Sequence, residues 1–214
     1  LMDGAFMKHA KLLLDHGAGG LMSHRLTRDL IVPAFDNPIL DRLGDGAVLE
    51  MGDGRIAFST DTYTVDPLFF PGGDIGELAV NGTVNDLSMC GAEPLYLSAG
   101  FIIEEGFPMK DLIRVVDSMA RAAVRAGVSI VTGDTKVVPK GAADKLFVNT
   151  SGIGRIPNDV RLGPDRVLPG DRVILSGTLA DHGVTVMAGR GGMSFNAPVE
   201  SDTAALNHMV KAML

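Results

Sequence analysis

Residues 94–136, PLYLSAGFIIEEGFPMKDLIRVVDSMARAAVRAGVSIVTGDTK, decide the fold class. The run from Pro94 to Ile103 reads as a strand. Pro108 then stands near the start of a helix, where its fixed φ is tolerated, and Gly127 closes it. Between them Leu112, Val115, Val116, Met119, Ala120 and Ala123 fall on one helical face. Val128 to Thr132 reads as a second strand that ends in the turn Gly133-Asp134-Thr135-Lys136. Toward the N-terminus, residues 47–51 and 55–60 read as a hairpin around Gly52-Asp53-Gly54, with Asp61 directly after its second strand. Asp74 can cap a helix running to about Ala92. Toward the C-terminus, 146–153 reads as a strand and the Pro- and Gly-bearing stretch 154–170 as a linker. Arg172 to Leu175 reads as a further strand, 180–188 as a helix, and 202–214 as another with Ser201 as its cap. The expectation is an α/β (α+β) protein, with one domain over 1–155 and the start of a second over 156–214.

The 214 residues carry 19 basic and 26 acidic side chains, a formal charge of −7. That balance argues against a nucleic-acid platform, which presents a basic surface. Phosphate substrates stay within reach, because acidic sites approach them through metal ions. Cys90 is the single cysteine, so neither an internal disulfide nor a zinc cluster is expected, and a reducing cytoplasm is the default. No apolar run approaches the length of a membrane span, and no secretory signal is recognisable. The chain opens on Leu1 and stops at Leu214 inside an apolar-periodic segment, which reads as a cut.

The acidic residues carry the functional signal. Asp45 sits in a turn leading into a strand, Asp61 and Asp134 follow apolar strands, and Asp86 lies beside Asn85 in an otherwise small, apolar helix. Converging carboxylates repel unless a cation compensates, and Mg²⁺ or Ca²⁺ takes oxygen ligands, so a divalent-metal site is the functional reading. Solvation or capping of each carboxylate is the plain alternative. Asn81 and Asn85 share a helix face. Gly82 costs helix stability, which suggests that something approaches the backbone there. His16-Gly17-Ala18-Gly19-Gly20 could offer backbone N–H groups to phosphate at a helix start, although neither GxGxxG nor GxxxxGK[ST] occurs. Lys136 is the cation of its turn, suited either to solvent or to neutralising developing charge.

Longer motifs carry a resemblance. Phe58-Ser59-Thr60-Asp61-Thr62-Tyr63, Asp66-Pro67-Leu68-Phe69-Phe70-Pro71-Gly72-Gly73, Asn81-Gly82-Thr83-Val84-Asn85-Asp86-Leu87 and Gly133-Asp134-Thr135-Lys136-Val137-Val138 closely resemble the HypE family of hydrogenase maturation factors. Its wider superfamily holds aminoimidazole ribonucleotide synthetase (PurM), selenophosphate synthetase and thiamine-monophosphate kinase. The resemblance implies a PurM-like N-terminal domain whose mixed sheet pairs across a homodimer. It implies an ATP-dependent carbamoyl dehydratase that converts a carboxamide on the protein's own C-terminal cysteine to a thiocyanate, the source of cyanide for [NiFe]-hydrogenase. The carbamoyltransferase HypF would deliver the carbamoyl group, and the HypC–HypD complex would be a further partner. Mg²⁺ would be held by Asp45, Asp61 and Asp86. Asn85 and Asp134 would support the ATP site, with His16, Gly17, Gly19 and Gly20 covering the phosphates. Lys136, beside Asp134, would stabilise the carboxamide oxygen or the γ-phosphate.

Three departures accompany the likeness. Superfamily members often carry Gly-Asp-Asp-Ala where this chain has Asp45-Gly46. The acidic, glycine-rich loop of the second domain is missing, and so is a C-terminal cysteine, as expected of a fragment. The alternatives are a non-catalytic dimeric scaffold for maturation partners and another ATP-dependent superfamily enzyme acting on a free small molecule.

Overall fold

The computed structural model describes residues 11–35, 37–52, 54–191 and 199–214. Asp53 of the hairpin and the first ten residues lie outside them. Two compact units divide the chain between Leu43 and Gly44. In the first, a 3-10 turn over Leu14–His16 leads into a helical stretch: α1 (Leu21–Leu26), a π-helical turn (Thr27–Ile31) and α2 (Val32–Phe35).

The second unit is built on a five-stranded sheet. Its strands are β1 (Ala47–Met51), β2 (Gly54–Tyr63), β5 (Glu93–Glu104), β6 (Ser129–Val138) and β7 (Leu146–Ile156), in the order β1-β2-β7-β5-β6. Two short segments, β3 (Phe69–Phe70) and β4 (Gly73–Asp74), pair separately. All neighbours in the main sheet are antiparallel except β5 and β6. A parallel neighbour requires a crossover, and helix α4 (Met109–Ala126) supplies it, begun by Pro108 at its N-cap and ended by Gly127 at φ 71°. Helix α3 (Ile75–Met89) starts where the Asp74 carboxylate accepts from the backbone N–H groups of Gly76 and Glu77, at 2.8 and 3.0 Å. An N-cap of this kind contributes about 1 kcal/mol.

Helices α3 and α4 cover one face of the sheet. Ile75, Val80, Val84 and Leu87 of α3, with Val115 and Met119 of α4, meet Ala57, Leu97, Ala99, Leu146 and Val148 of the strands in one core. The other face is open. There Phe58, Tyr96 and Ile153 stand in register beside one another, all exposed.

Four sequence expectations are corrected. The hairpin strand runs on to Tyr63, so Asp61 lies inside β2. Pairing with β5 likewise carries β6 past Gly133 to Val138, so Asp134 and Lys136 are strand residues rather than turn residues. Arg172–Leu175 forms no strand: Val173 and Ile174 are 91% and 72% exposed, and no strand among the described residues takes up their N–H and C=O groups. The last helix, α6 (Asn207–Met213), is shorter than expected and Ser201 is not its cap. The Ser201 N–H donates instead to Pro71 O, and residues 203–206 lie irregular against α3. The expected helix near 180–188 is α5 (Asp181–Gly191).

Candidate functional site

Where β2 faces α3, Ala57, Ser59 and Tyr63 point inward by strand alternation, and Asp61 shares their side while staying exposed. Ser59 is buried, and its hydroxyl lies 3.0 Å from the Asp45 carbonyl and 2.9 Å from Asp86 Oδ2. Ser59 thus joins the Asp45 turn to Asp86 of α3, and Asp61, the third acid of this rim, follows two residues on along the same side of β2. Burial raises the Asp86 carboxyl above its ordinary range, the Ser59 hydrogen bond offsets this in part, and the charges of Asp61 and Asp45 add to the rise. None of the three enters an ion pair among the described residues.

Within those residues no group of three or more His, Cys, Asp or Glu side chains is drawn tightly enough to cage a metal ion by itself. The acid set still fits Mg²⁺, which keeps several waters and is bound through one or two carboxylates plus substrate phosphates. The carboxylate donor set itself, with Asp86 and the Asp45 turn joined at Ser59 and no basic side chain paired to any of the three acids among the described residues, is the observation behind that fit.

Two glycines account for the packing at this rim. A Cβ on Gly82 would lie 2.2 Å from the Tyr63 hydroxyl, so the close approach expected at this helix position is made by Tyr63. Behind it runs a buried hydroxyl chain. Thr150 Oγ1 donates to Ala79 O at 2.8 Å, Thr83 and Thr150 are 2.6 Å apart, and Tyr63 reaches Thr83 at 3.4 Å. Burial pushes the Tyr63 phenol far up, and it remains protonated. A Cβ on Gly46 would meet Cys90 Sγ and Phe58 O, each at 3.1 Å. Cys90 thus packs against the Asp45-Gly46 turn. Burial pushes its thiol up, with Asp45 and Asp86 adding to the effect.

The remaining expected residues are distributed differently. Asn85 donates to Ala204 O at 2.9 Å and accepts from Leu206 N–H at 2.8 Å, while Asn81 reaches Thr203 Oγ1 at 3.5 Å. The polar face of α3 therefore holds the 203–206 segment. Asp134 and Lys136 form an exposed pair, with Nζ 2.8 Å from Oδ2, and this hydrogen bond holds the Asp134 carboxyl below its ordinary range. Register separates them from the acid rim. Asp61 lies in the row Asp61–Thr150–Ala99–Gly133 on the helix side, whereas Asp134 lies in the next row, Thr62–Asn149–Gly100–Asp134, on the open side. Three strand spacings, about 14 Å, lie between β2 and β6. His16, Gly17, Gly19 and Gly20 belong to the first unit, where His16 Nδ1 accepts from Leu13 N–H at 3.0 Å and Gly20 is the N-cap of α1. A cavity of about 380 Å³ opens beside α6, between Ala92–Leu95 and Pro157–Val160, and includes none of the expected residues in its lining.

Sequence reading passed over Ser59. Its signal was a hydroxyl on the inward side of a strand, where a polar group needs a partner.

Residues 43–156, a little over half of the chain, match the family model for AIR synthase related protein, N-terminal domain. The chain belongs to the AIR synthase-related family. Within that family its likeness is to HypE. It is 49% identical to the carbamoyl dehydratase HypE of Azotobacter vinelandii over 97% of this chain and 61% of that protein. A solved HypE–HypF complex matches with a TM-score of 0.82 and 52% identity, over 87% of this chain and 60% of the other. A solved HypE in complex with ATP matches with a TM-score of 0.73 and 58% identity, over 95% and 61%. The chain therefore spans about three-fifths of the length of the relatives it matches. No helix among the described residues is long and apolar enough to cross a membrane.

Proposed function

We propose that this chain is the ATP-binding portion of a HypE-type carbamoyl dehydratase that serves [NiFe]-hydrogenase maturation in the cytoplasm. The observation that carries the reading is the buried Ser59 hydroxyl between the Asp86 carboxylate and the Asp45 backbone carbonyl, with Asp61 two residues on along β2 and none of the three acids paired to a basic side chain among the described residues. The HypE–ATP complex among its relatives supports ATP as the substrate bound there.

The reaction is R–S–C(=O)–NH₂ + ATP → R–S–C≡N + ADP + phosphate + H⁺. The amide oxygen attacks the γ-phosphorus and the bond to ADP breaks. The N–H protons and the phosphate then leave, and the C≡N bond forms. Phosphoryl transfer relies on positioning and charge neutralisation. Mg²⁺, held by Asp45, Asp61 and Asp86, would neutralise the triphosphate. Asn85 supports the nucleotide site by holding the 203–206 segment against α3. Asp134 orients Lys136 toward the transferring group.

Because Asp134 and Lys136 face the open side, away from their own acid rim, they serve the site only through a homodimer, packed on the open sheet faces, in which each copy's Lys136 reaches its partner's rim. Exposed Phe58, Tyr96 and Ile153 support that packing. Residues 1–155 form the ATP-binding and dimerising domain, and 156–214 begin a second α/β domain. Cys90 is half-buried behind Gly46, and we do not assign it as the thiol that bears the carboxamide. HypF delivers the carbamoyl group, as the HypE–HypF complex supports, and the HypC–HypD pair receives the cyanide.

Calorimetric titration of ATP with Mg²⁺ into the full-length protein tests the reading. Asp61→Asn should weaken binding tenfold or more, and Lys136→Met should lower kcat by roughly 10²-fold. Unchanged ATP binding in Asp61→Asn defeats the proposal.

A further inference from the structure

Ser59 occupies a position that the chemistry above leaves unexplained. It is 5% exposed, on the inward side of β2 between Ala57 and Asp61. Among the described residues it is the only donor to the Asp86 carboxylate, and the same hydroxyl faces the Asp45 carbonyl. Asp86 is half-buried between two further negative charges. Without a donor on its inner oxygen, this carboxylate gains by swinging away from Asp45 and Asp61 into solvent. The single hydroxyl proton is shared with the Asp45 carbonyl, so the same change weakens the contact of the Asp45 turn with β2, where Gly46 packs close against Cys90 and Phe58.

We infer that Ser59 is a positioning residue that aims the Asp86 carboxylate and pins the Asp45 turn for a divalent cation. The inference rests on the acid-rim reading of the site. It extends that reading to a group that touches neither nucleotide nor metal. Residues that orient metal-binding carboxylates change metal affinity by about 10–100-fold when replaced.

The test uses full-length protein and reads the Mg²⁺ concentration that half-saturates ADP binding, with melting temperature as the folding control. Ser59→Ala and the near-isosteric Ser59→Cys should each raise that concentration about tenfold or more, while Ser59→Thr, which keeps the hydroxyl, should stay within about threefold of the parent. A parent-like titration for Ser59→Ala and Ser59→Cys, with Asp86→Asn impaired, overturns the role of Ser59 and leaves the acid rim standing. Ser59→Thr as impaired as Ser59→Ala at an unchanged melting temperature also overturns it. If Asp86→Asn binds like the parent, the acid-rim reading fails and this inference falls with it.

Discussion

Gly82→Ala sets helix propensity against packing, and the structure decides the sign. In an exposed helix the exchange stabilises by about 1 kcal/mol, because glycine loses more backbone freedom on folding. Here the new methyl would lie 2.2 Å from the Tyr63 oxygen, 3.1 Å from its Cζ and 3.2 Å from its Cε1. The shortest of these falls roughly 1 Å inside ordinary contact. Tyr63 has little room to yield, being 7% exposed in a strand of the sheet, with its hydroxyl on the Thr83–Thr150 chain. Overpacking of this kind costs about 2–3 kcal/mol, leaving a net loss of about 1–2 kcal/mol after the propensity gain. For a protein of this size the melting temperature should fall by roughly 3–6 °C, with a matching drop in the urea midpoint. Adding Tyr63→Phe removes the nearest atom and should recover most of the loss. A rise in melting temperature for Gly82→Ala alone would refute the close contact and return Gly82 to an unexplained weakness in the helix.

Three further outcomes follow from the same geometry. Asp86 has its carboxyl raised in the folded state, so its charge costs stability at neutral pH and the cost fades as pH falls through the folded pKa toward the ordinary 3.8. With divalent ions chelated, Asp86→Asn should therefore melt higher than the parent at pH 7, and the difference should shrink by pH 4. Asn85→Ala removes two hydrogen bonds to the 204–206 backbone, each contributing about 1 kcal/mol. Exchange of the Leu206 amide should quicken by about 10–30-fold, and an unchanged rate would show that Asn85 does not hold this segment. Ile153→Asp places a charge in the exposed apolar row beside Phe58 and Tyr96; sedimentation of the full-length protein should shift from dimer to monomer.

The elements legible in the sequence were those whose boundaries are set by local chemistry. Asp74, Pro108 and Gly127 act through their own side chains or backbone angles, and each marks a helix end where expected. Features that depend on a distant partner were not legible. Gly133 looked like a strand terminator, yet β5 is long enough to carry the ladder to Val138. Val173-Ile174-Leu175 is apolar enough for a strand and finds no neighbour. Residues 202–206 have a helical pattern, but the amides of Asn81 and Asn85 hold the stretch against α3.

Register matters most at the site. Acidic side chains at strand ends suggest one cluster; the Ser59 hydroxyl joins Asp86 to the Asp45 turn, while no three acids among the described residues form a ready-made cation cage. Asp134 misses that cluster by one residue of alternation, because a single step along a strand moves a side chain to the opposite face. Pairing of Ala99 with Gly133 places the glycine on the helix side and sends Asp134 and Lys136 to the open side. Neither composition nor strand length reveals that parity, since it depends on which residue of β5 meets which residue of β6. The residues proposed for the site therefore lie on opposite faces of one sheet. A chemistry that needs both the acid rim and Lys136 needs the open face to be covered by a second copy. Loss of the dimer in Ile153→Asp should then abolish turnover while leaving Mg²⁺ at the acid rim. Full turnover by a monomer would sever Lys136 from the reaction.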